Sequence, residues 1–428
     1  MAAHVHAGVS YPGRQAVSTI MMELERQKKE RKDFLINSKN LEFKVVDRQI
    51  LLKIDPGKGS NLLVPVGRRG WTQLAQWMGL RQSDRLYKWL AFGHQNPSSL
   101  KVQQKVEPDR NWGSWVDLIN DYMHTEKETR LVRCLADTNG QVYCRAMLSD
   151  KYNVISNADF FFCIAESLNA IGAEVWHARL SEDKFYLYAV APGITGQIST
   201  DRSFDPGDGW ASRWFGKEGD VMNAALCAGN SETGEGGIFL SSAILRRVCV
   251  NYCVYHDLVS MTHVGKRYDP SDILLSDETI RKRNDFFFSK VTDLTRNSFD
   301  PDRFQQMLDE MNKATTDVID DPERAADVLQ YCFDVSEERK QRIRDMFVKE
   351  QDGSRYGLAN AVTAFAHDAK LDADAGYSLE KAATELFKGS MSEFYEKAAK
   401  IKKEREKKKK KGGAAEELEA VSAAEFVV

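Results

Sequence analysis

The stretch Ala228–Tyr252, AGNSETGEGGIFLSSAILRRVCVNY, restricts what this chain can fold into more than any other. Gly229, Gly234, Gly236 and Gly237 stand among Asn230, Ser231 and Thr233, with apolar runs at Val221–Leu226 and Ile238–Leu240. Glycine and small polar residues between two apolar runs form a turn, because glycine reaches positive φ and lets another group approach closely. After the turn, Ser241 and Ser242 offer an N-cap to a helix carrying Ile244, Leu245, Val248 and Cys249, with Arg246 and Arg247 beside its apolar set.

Upstream, the clearest pattern is a pair of hairpins around a helix. Leu131–Ala136 and Gln141–Leu148 are β-type runs joined through Asn139-Gly140, a strong short hairpin signal. Ser156 or Asn157 then caps a helix with Phe161, Ile164, Leu168 and Ile171 on one face and Gly172 as its stop. Glu174–Leu180 and Phe185–Val190 make the second hairpin. The order β-β-α-β-β predicts an α+β fold: an antiparallel sheet with helices packed on one face. Helical spacing at Asp285–Leu294, Phe304–Ala314, Ala325–Leu329, Glu337–Val348, Tyr356–Ala369 and Ser378–Phe387 predicts a mostly helical C-terminal region.

The N-terminal part predicts a solvated, charged helix within Ile20–Leu35 and a pair of short strands or one bent strand in Leu41–Ile54. A turn at Asp55–Gly59, a strand at Leu62–Val66 and a helix from Trp71 to Leu80 follow. Residues 84–130 read as helical and 192–220 as a loop insertion. The expected organisation is an N-terminal extension (1–60), an α+β core (61–275), a helical region (276–395) and a charged, disordered tail (396–428).

Asn230-Ser231-Glu232-Thr233-Gly234 followed by Arg247-Val248-Cys249-Val250-Asn251 resembles the signature of the phage- and plasmid-encoded proteins grouped in the DUF932 family, whose domain has no assigned function. Ser149-Asp150-Lys151-Tyr152 is similar to that family's "LSDRY" motif with lysine for arginine, and Arg355–Thr363 to a second motif. Where the family has a glycine after the asparagine, this chain has Tyr252. The resemblance covers about residues 62–370. It implies a place among genes of DNA metabolism, and at the coarse level of a β-β-α sheet it is similar to single-strand annealing proteins.

The chemistry readable from residues alone is limited. The turn lacks the Gly-Lys-Ser/Thr ending of a P-loop, although its backbone N–H groups could still meet a phosphate. Cys249, Cys253, His256 and His263 match no common zinc spacing, and the seven cysteines form no CxxC pair, so neither metal nor other cofactor is expected. No nucleophile–base set stands out, which leaves catalytic residues unassigned. No apolar run approaches the ~20 residues of a membrane span. The expected location is the cytoplasm, that of a host if the protein is phage-encoded.

Basic residues are more informative. Arg145, Lys151, Arg246, Arg247, Lys266 and Arg267, with Tyr152, Asn230, Ser231 and Tyr268, form the candidate nucleic-acid-binding set. Tyr143, Tyr186 and Tyr188 are available for stacking on bases if the sheet brings them together. The expected partner is single-stranded DNA and the expected role non-enzymatic, in replication or recombination. The alternatives are a nucleic-acid-processing enzyme with a site near 229–267, or a structural or host-interaction protein without DNA. A homo-oligomer is left open. Between Lys397 and Lys411, ten Lys/Arg face only Glu404 and Glu406, followed by Glu416, Glu417, Glu419 and Glu425. Such a run holds phosphates without sequence preference, pairs with the acidic end that follows it, or serves only to keep the chain in solution.

Overall fold

A computed structural model describes residues 9–12, 14–47, 49–57, 61–80, 112–198, 220–247, 251–261, 277–350, 352–367, 371 and 373–406. The chain opens with a strand, Val9–Pro12 (β1), and a helix, Arg14–Glu30 (α1). Arg31–Asn37 (β2), Leu41–Val46 (β3), Gln49–Ile54 (β4) and Leu62–Pro65 (β5) are strands, and Arg68–Trp77 (α2) and Trp112–Thr125 (α3) are helices. Thr129–Ala136 (β6) and Val142–Ser149 (β7) form the hairpin marked by Asn139-Gly140. Asn157–Ala170 is α4, with the Ser156 hydroxyl accepting from Asp159 N as the expected cap. Five strands follow: Glu174–Leu180 (β8), Phe185–Gln197 (β9), Val221–Asn230 (β10), Ile238–Arg246 (β11) and Asn251–Met261 (β12).

The C-terminal region is helical: Asp277–Asn297 (α5), Pro301–Thr315 (α6), Pro322–Cys332 (α7), Glu337–Glu350 (α8), Arg355–Ala366 (α9) and Ala373–Lys388 (α10). Residues 391–406 form one more helix, α11. Helices α6 and α7 start as physical chemistry dictates, with Asp300 and Asp321 as N-caps and Pro301 and Pro322 where no backbone donor is needed. The chain is therefore α+β, with antiparallel sheets and a helical C-terminal region.

The strands fall into three antiparallel sheets, β1-β8-β9-β10-β11-β12, β2-β6-β7 and β3-β4-β5. The two hairpins expected in one sheet are thus divided between two. Strands β2, β3 and β4, from the segment expected as an extension, are built into the smaller sheets, with β2 paired along its length to β6 from Arg31↔Leu135 to Asn37↔Thr129.

Alternation along the strands gives the large sheet two faces. Leu187, Ala189, Leu226, Ala228, Leu240 and Ile244 share one core with α4, α5, α6 and α9. Tyr186, Tyr188, Ala225, Cys227, Ala243, Leu245 and Tyr252 line the other, against Ala373 and Tyr377 of α10. A third core, around Phe43, Leu52, Trp71, Leu74 and Met147, joins the small sheets to α2 and α3.

Several local expectations are corrected. Ser241 and Ser242 do not cap a helix but sit buried inside β11, which has apolar residues on both sides of them and is covered on both faces. Cys249 lies outside the described residues, and Cys253 is on a strand, so the helical i,i+4 spacing of these thiols does not arise. The charged helix before residue 35 is not solvated all round, because Ile20 and Leu24 are buried against α4. Residues 192–197, read as loop, extend β9 past an irregularity in its pairing with β10. Of the four inward positions on α4, Phe161, Ile164 and Leu168 are buried; Ile171 is 39% exposed because the helix stops at Ala170 and Gly172 turns away at φ 69°. Within 84–130, residues 84–111 lie outside the described residues, and the helix ends at Thr125 before β6. Of the tail expected as disordered (396–428), residues 396–406 instead continue the helix that starts at 391; 407–428 lie outside the described residues.

Candidate functional site

The turn between β10 and β11 is a latch between sheets. Ser231, Glu232 and Thr233 are buried. The Ser231 hydroxyl accepts from the backbone N–H groups of Thr233 and Glu235 and donates to Asp183 O at 2.8 Å. Outward, the turn's carbonyls are taken by the smaller sheets and α2. Tyr152 donates to Ser231 O at 2.8 Å, Gln73 to Thr233 O at 2.8 Å and Arg69 to Gly234 O at 3.2 Å, while Arg133 donates to Glu232 O. Gly234 sits at φ 77°, and a Cβ there would lie 2.7 Å from Leu148 Cδ2, so glycine answers both demands.

Glu232 is the centre of the latch. Its carboxylate lies 3.4 Å from Arg133 Nη2 and 3.5 Å from Arg145 Nη1, and accepts from Asn157 N at 2.6 Å. Burial alone would raise its pKa, but the two guanidinium groups and the Asn157 N–H outweigh that and hold the carboxyl below its ordinary range. Arg133 also pairs with Asp33 at 3.0 Å, and Arg145 donates to Glu182 O at 2.6 Å. Asn230 donates to Ile155 O at 2.9 Å and to Asn157 Oδ1 at 2.8 Å.

Of the sequence-derived set, the structure therefore brings together Arg145, Tyr152, Asn230 and Ser231, but as interior groups engaged with protein. Lys151 is exposed on the turn after β7. Arg246 and Arg247 are elsewhere. Met222 pairs with Arg246 at one end of the β10–β11 ladder and Gly229 with Phe239 near the other, so eight residues separate them from Asn230, about 27 Å along a strand. Arg246 Nε lies 2.8 Å from Asp220 Oδ1, and Arg247 donates to Asn223 Oδ1. Tyr356, from the second motif, donates to the same Asp220 at 2.5 Å, so that motif also closes a core junction. One groove for all the cations is thus not formed by Arg145, Arg246 and Arg247; Lys266, Arg267 and Tyr268 lie outside the described residues. Tyr186 and Tyr188 are buried and do not offer rings for stacking.

A second polar cluster escaped sequence reasoning. It lies on the α10 face of the large sheet. Arg179 on β8 is buried with Glu380 on α10, Nη2 to Oε1 at 3.1 Å. Arg179 Nε donates to His177 Nε2 at 3.2 Å, and Nη2 to His367 Nδ1 at 3.1 Å. Tyr188 donates to Glu380 Oε2 at 2.5 Å. Helix α10 comes this close because Gly376 is small: a Cβ there would lie 2.9 Å from Ala366 O and against the Arg179 guanidinium. Burial pushes the Glu380 carboxyl up, against the pull of Arg179 and Tyr188. The signal available was His177 and Arg179 at alternate positions of a strand that is otherwise apolar toward its end, but their partners are far off in the chain.

Among the described residues, no group of three or more His, Cys, Asp or Glu is arranged to hold a metal ion, and no helix is long and apolar enough to cross a membrane. The exposed cations differ from the interior ones. On the helix 391–406, Lys397, Lys400 and Lys403 are exposed, while Lys402 and Arg405 reach back to Asp327 and Asp334 at 3.5 and 3.0 Å. Comparisons with protein-family models, curated proteins and solved structures find no match.

Proposed function

We propose that the chain is a non-enzymatic nucleic-acid-binding protein, with single-stranded DNA as the partner, and that its contact is the cationic helix 391–406 with the lysines after it. The observation that carries this reading is the row Lys397, Lys400 and Lys403, exposed at i,i+3 spacing and continued in sequence by Lys407–Lys411. Interior arginines are already matched to Glu232, Asp33, Glu380 and Asp220, so they have no charge to give a phosphate. Surface lysines do, since each phosphate they neutralise releases counterions from the strand. The choice of single-stranded DNA, and a role in replication or recombination, follow from the resemblance to phage and plasmid proteins.

Oligonucleotide binding over a salt series tests this. The triple variant Lys397→Glu, Lys400→Glu, Lys403→Glu weakens binding and lowers the salt slope by about 0.7 for each phosphate of a single strand that is no longer neutralised. Curves that coincide with the unmodified chain overturn the reading and leave a structural or host-interaction role.

A further inference from the structure

Two thiols face each other across the β6–β7 hairpin. Cys134 is the register partner of Cys144, and both are free and buried in the core that the small sheets share with α2. The Cys144 thiol donates to Ala146 O at 3.7 Å and is in hydrogen-bond contact with the Cys134 thiol. Helix α2 covers the pair closely: a Cβ at Gly70 would lie 3.6 Å from Cys144 Sγ. Among the described residues, no other two cysteines are register partners. Cys227 lies opposite Ser241 and Tyr188, and Cys253 opposite Ile244.

Backbone direction decides which kind of pair this is. An antiparallel pair either exchanges both of its backbone hydrogen bonds or makes neither. Cys144 O accepts from Gly67 N at 2.8 Å, beside the parallel bridge Val66↔Cys144 on the far side of β7. The carbonyl is thus turned away from Cys134, and the two residues form the non-hydrogen-bonded kind of pair. Such pairs hold their Cα atoms about 4.5 Å apart with side chains drawn together. A disulfide spans Cα separations of about 4.4–6.8 Å. The ladder shifts between Arg133↔Ala146 and Cys134↔Cys144, which leaves Arg145 without a register partner. Arg133 and Arg145, each next to one of the cysteines, are the two guanidinium groups that reach Glu232.

We propose that Cys134 and Cys144 are a modification site: with a low-molecular-weight disulfide as oxidant they close to a cross-strand disulfide, which fastens β6 to β7 where both arginines of the Glu232 latch leave the hairpin. One cysteine thiolate attacks a sulfur of the small disulfide, expels a small thiolate and forms a mixed disulfide. The other cysteine thiolate attacks the protein sulfur of that mixed disulfide and expels the second small thiolate. The two cysteine sulfurs are oxidised, the small disulfide is reduced to two thiols, and the two cysteine protons end on those thiols. The contact with Cys134, and burial after it, push the Cys144 thiol well above its ordinary pKa, so the folded chain offers little thiolate there. The bond therefore closes while the hairpin is open, during folding, and the packed core then shields it.

Refolding the full chain from urea, in mixed oxidised and reduced glutathione or in excess dithiothreitol, tests this. Thiols are then blocked with iodoacetamide in denaturant and the chain is cut with trypsin, which releases Cys134–Arg145 as one peptide holding both cysteines. After oxidative refolding this peptide carries no blocking group and is lighter by two hydrogen atoms; after reductive refolding both cysteines are blocked. Two blocked cysteines, or glutathione on each, after oxidative refolding overturns the inference. Closure as fast in the already folded chain as during refolding overturns its timing. A cross-link restricts the unfolded chain, so the urea midpoint of the oxidised form lies above that of the reduced form. Cys144→Ala gives one midpoint under both conditions. Equal midpoints for the oxidised and reduced unmodified chain overturn the fastening of the hairpin. If the variant does not fold, the peptide map of the unmodified chain decides.

Discussion

Removing the Glu232 carboxylate should unlatch the sheets. In Glu232→Ala the Arg133 side chain keeps Asp33 at 3.0 Å, but Arg145, 5% exposed, loses the carboxylate at 3.5 Å, and the Asn157 N–H loses its acceptor at 2.6 Å. Removing one partner of a buried ion pair costs about 3–5 kcal/mol because the remaining charge stays buried. The unpaired N–H adds about 1–3 kcal/mol where it stays dry. Urea denaturation followed by tryptophan fluorescence and far-ultraviolet circular dichroism should therefore show a loss of at least about 3 kcal/mol. Glu232→Gln, which keeps an acceptor for Asn157, should lose less. A triple change, Arg133→Met, Arg145→Met and Glu232→Leu, should be more stable than Glu232→Ala, since the penalty is the uncompensated charge. The pH dependence has a definite sign: with the folded pKa below the unfolded value, the contribution is present above pH ~4.3 and disappears as pH falls through the folded value. A loss under about 1 kcal/mol in Glu232→Ala would refute the argument that this carboxylate compensates the buried arginines.

Other outcomes follow from packing. Phe161→Ala and Leu168→Ala should each cost about 2–5 kcal/mol in the same assay, while Ile171→Ala at its exposed cap position should stay within about 0.5 kcal/mol. Gly376→Ala drives a methyl group toward Ala366 O at 2.9 Å and should cost about 1–3 kcal/mol, with the loss of protection concentrated in α10 by hydrogen exchange.

Local chemistry was legible in the sequence wherever one segment decides the outcome. Asn139-Gly140 names its hairpin and Ser156 its helix start. It failed where tertiary burial overrides a local signal. Ser241-Ser242 reads as a cap until β11 is covered on both faces. The end of the expected helix, Arg31–Leu35, reads as helix until it meets β6. The buried clusters were harder still. Arg145 and Arg246 look like surface cations in one dimension, and only the fold reveals Glu232 and Asp220 opposite them. Glu380 sits among Leu379, Ala382 and Ala383 with nothing local to reveal the arginine it serves.

The late position of α10 also governs how this molecule is born. Its sheet gathers strands from Val9 through Met261, yet the helix that roofs Tyr186, Tyr188 and Tyr252 begins only at Ala373. On the ribosome, more than a hundred residues must be added after β12 before that roof exists. In the interval a nascent chain shows an aromatic wall to solvent, the kind of surface that recruits chaperones or joins a neighbouring chain. Fragments ending before Ala373 should therefore accumulate in aggregates when expressed, and supplying the missing helix in trans as a peptide should return them to solution.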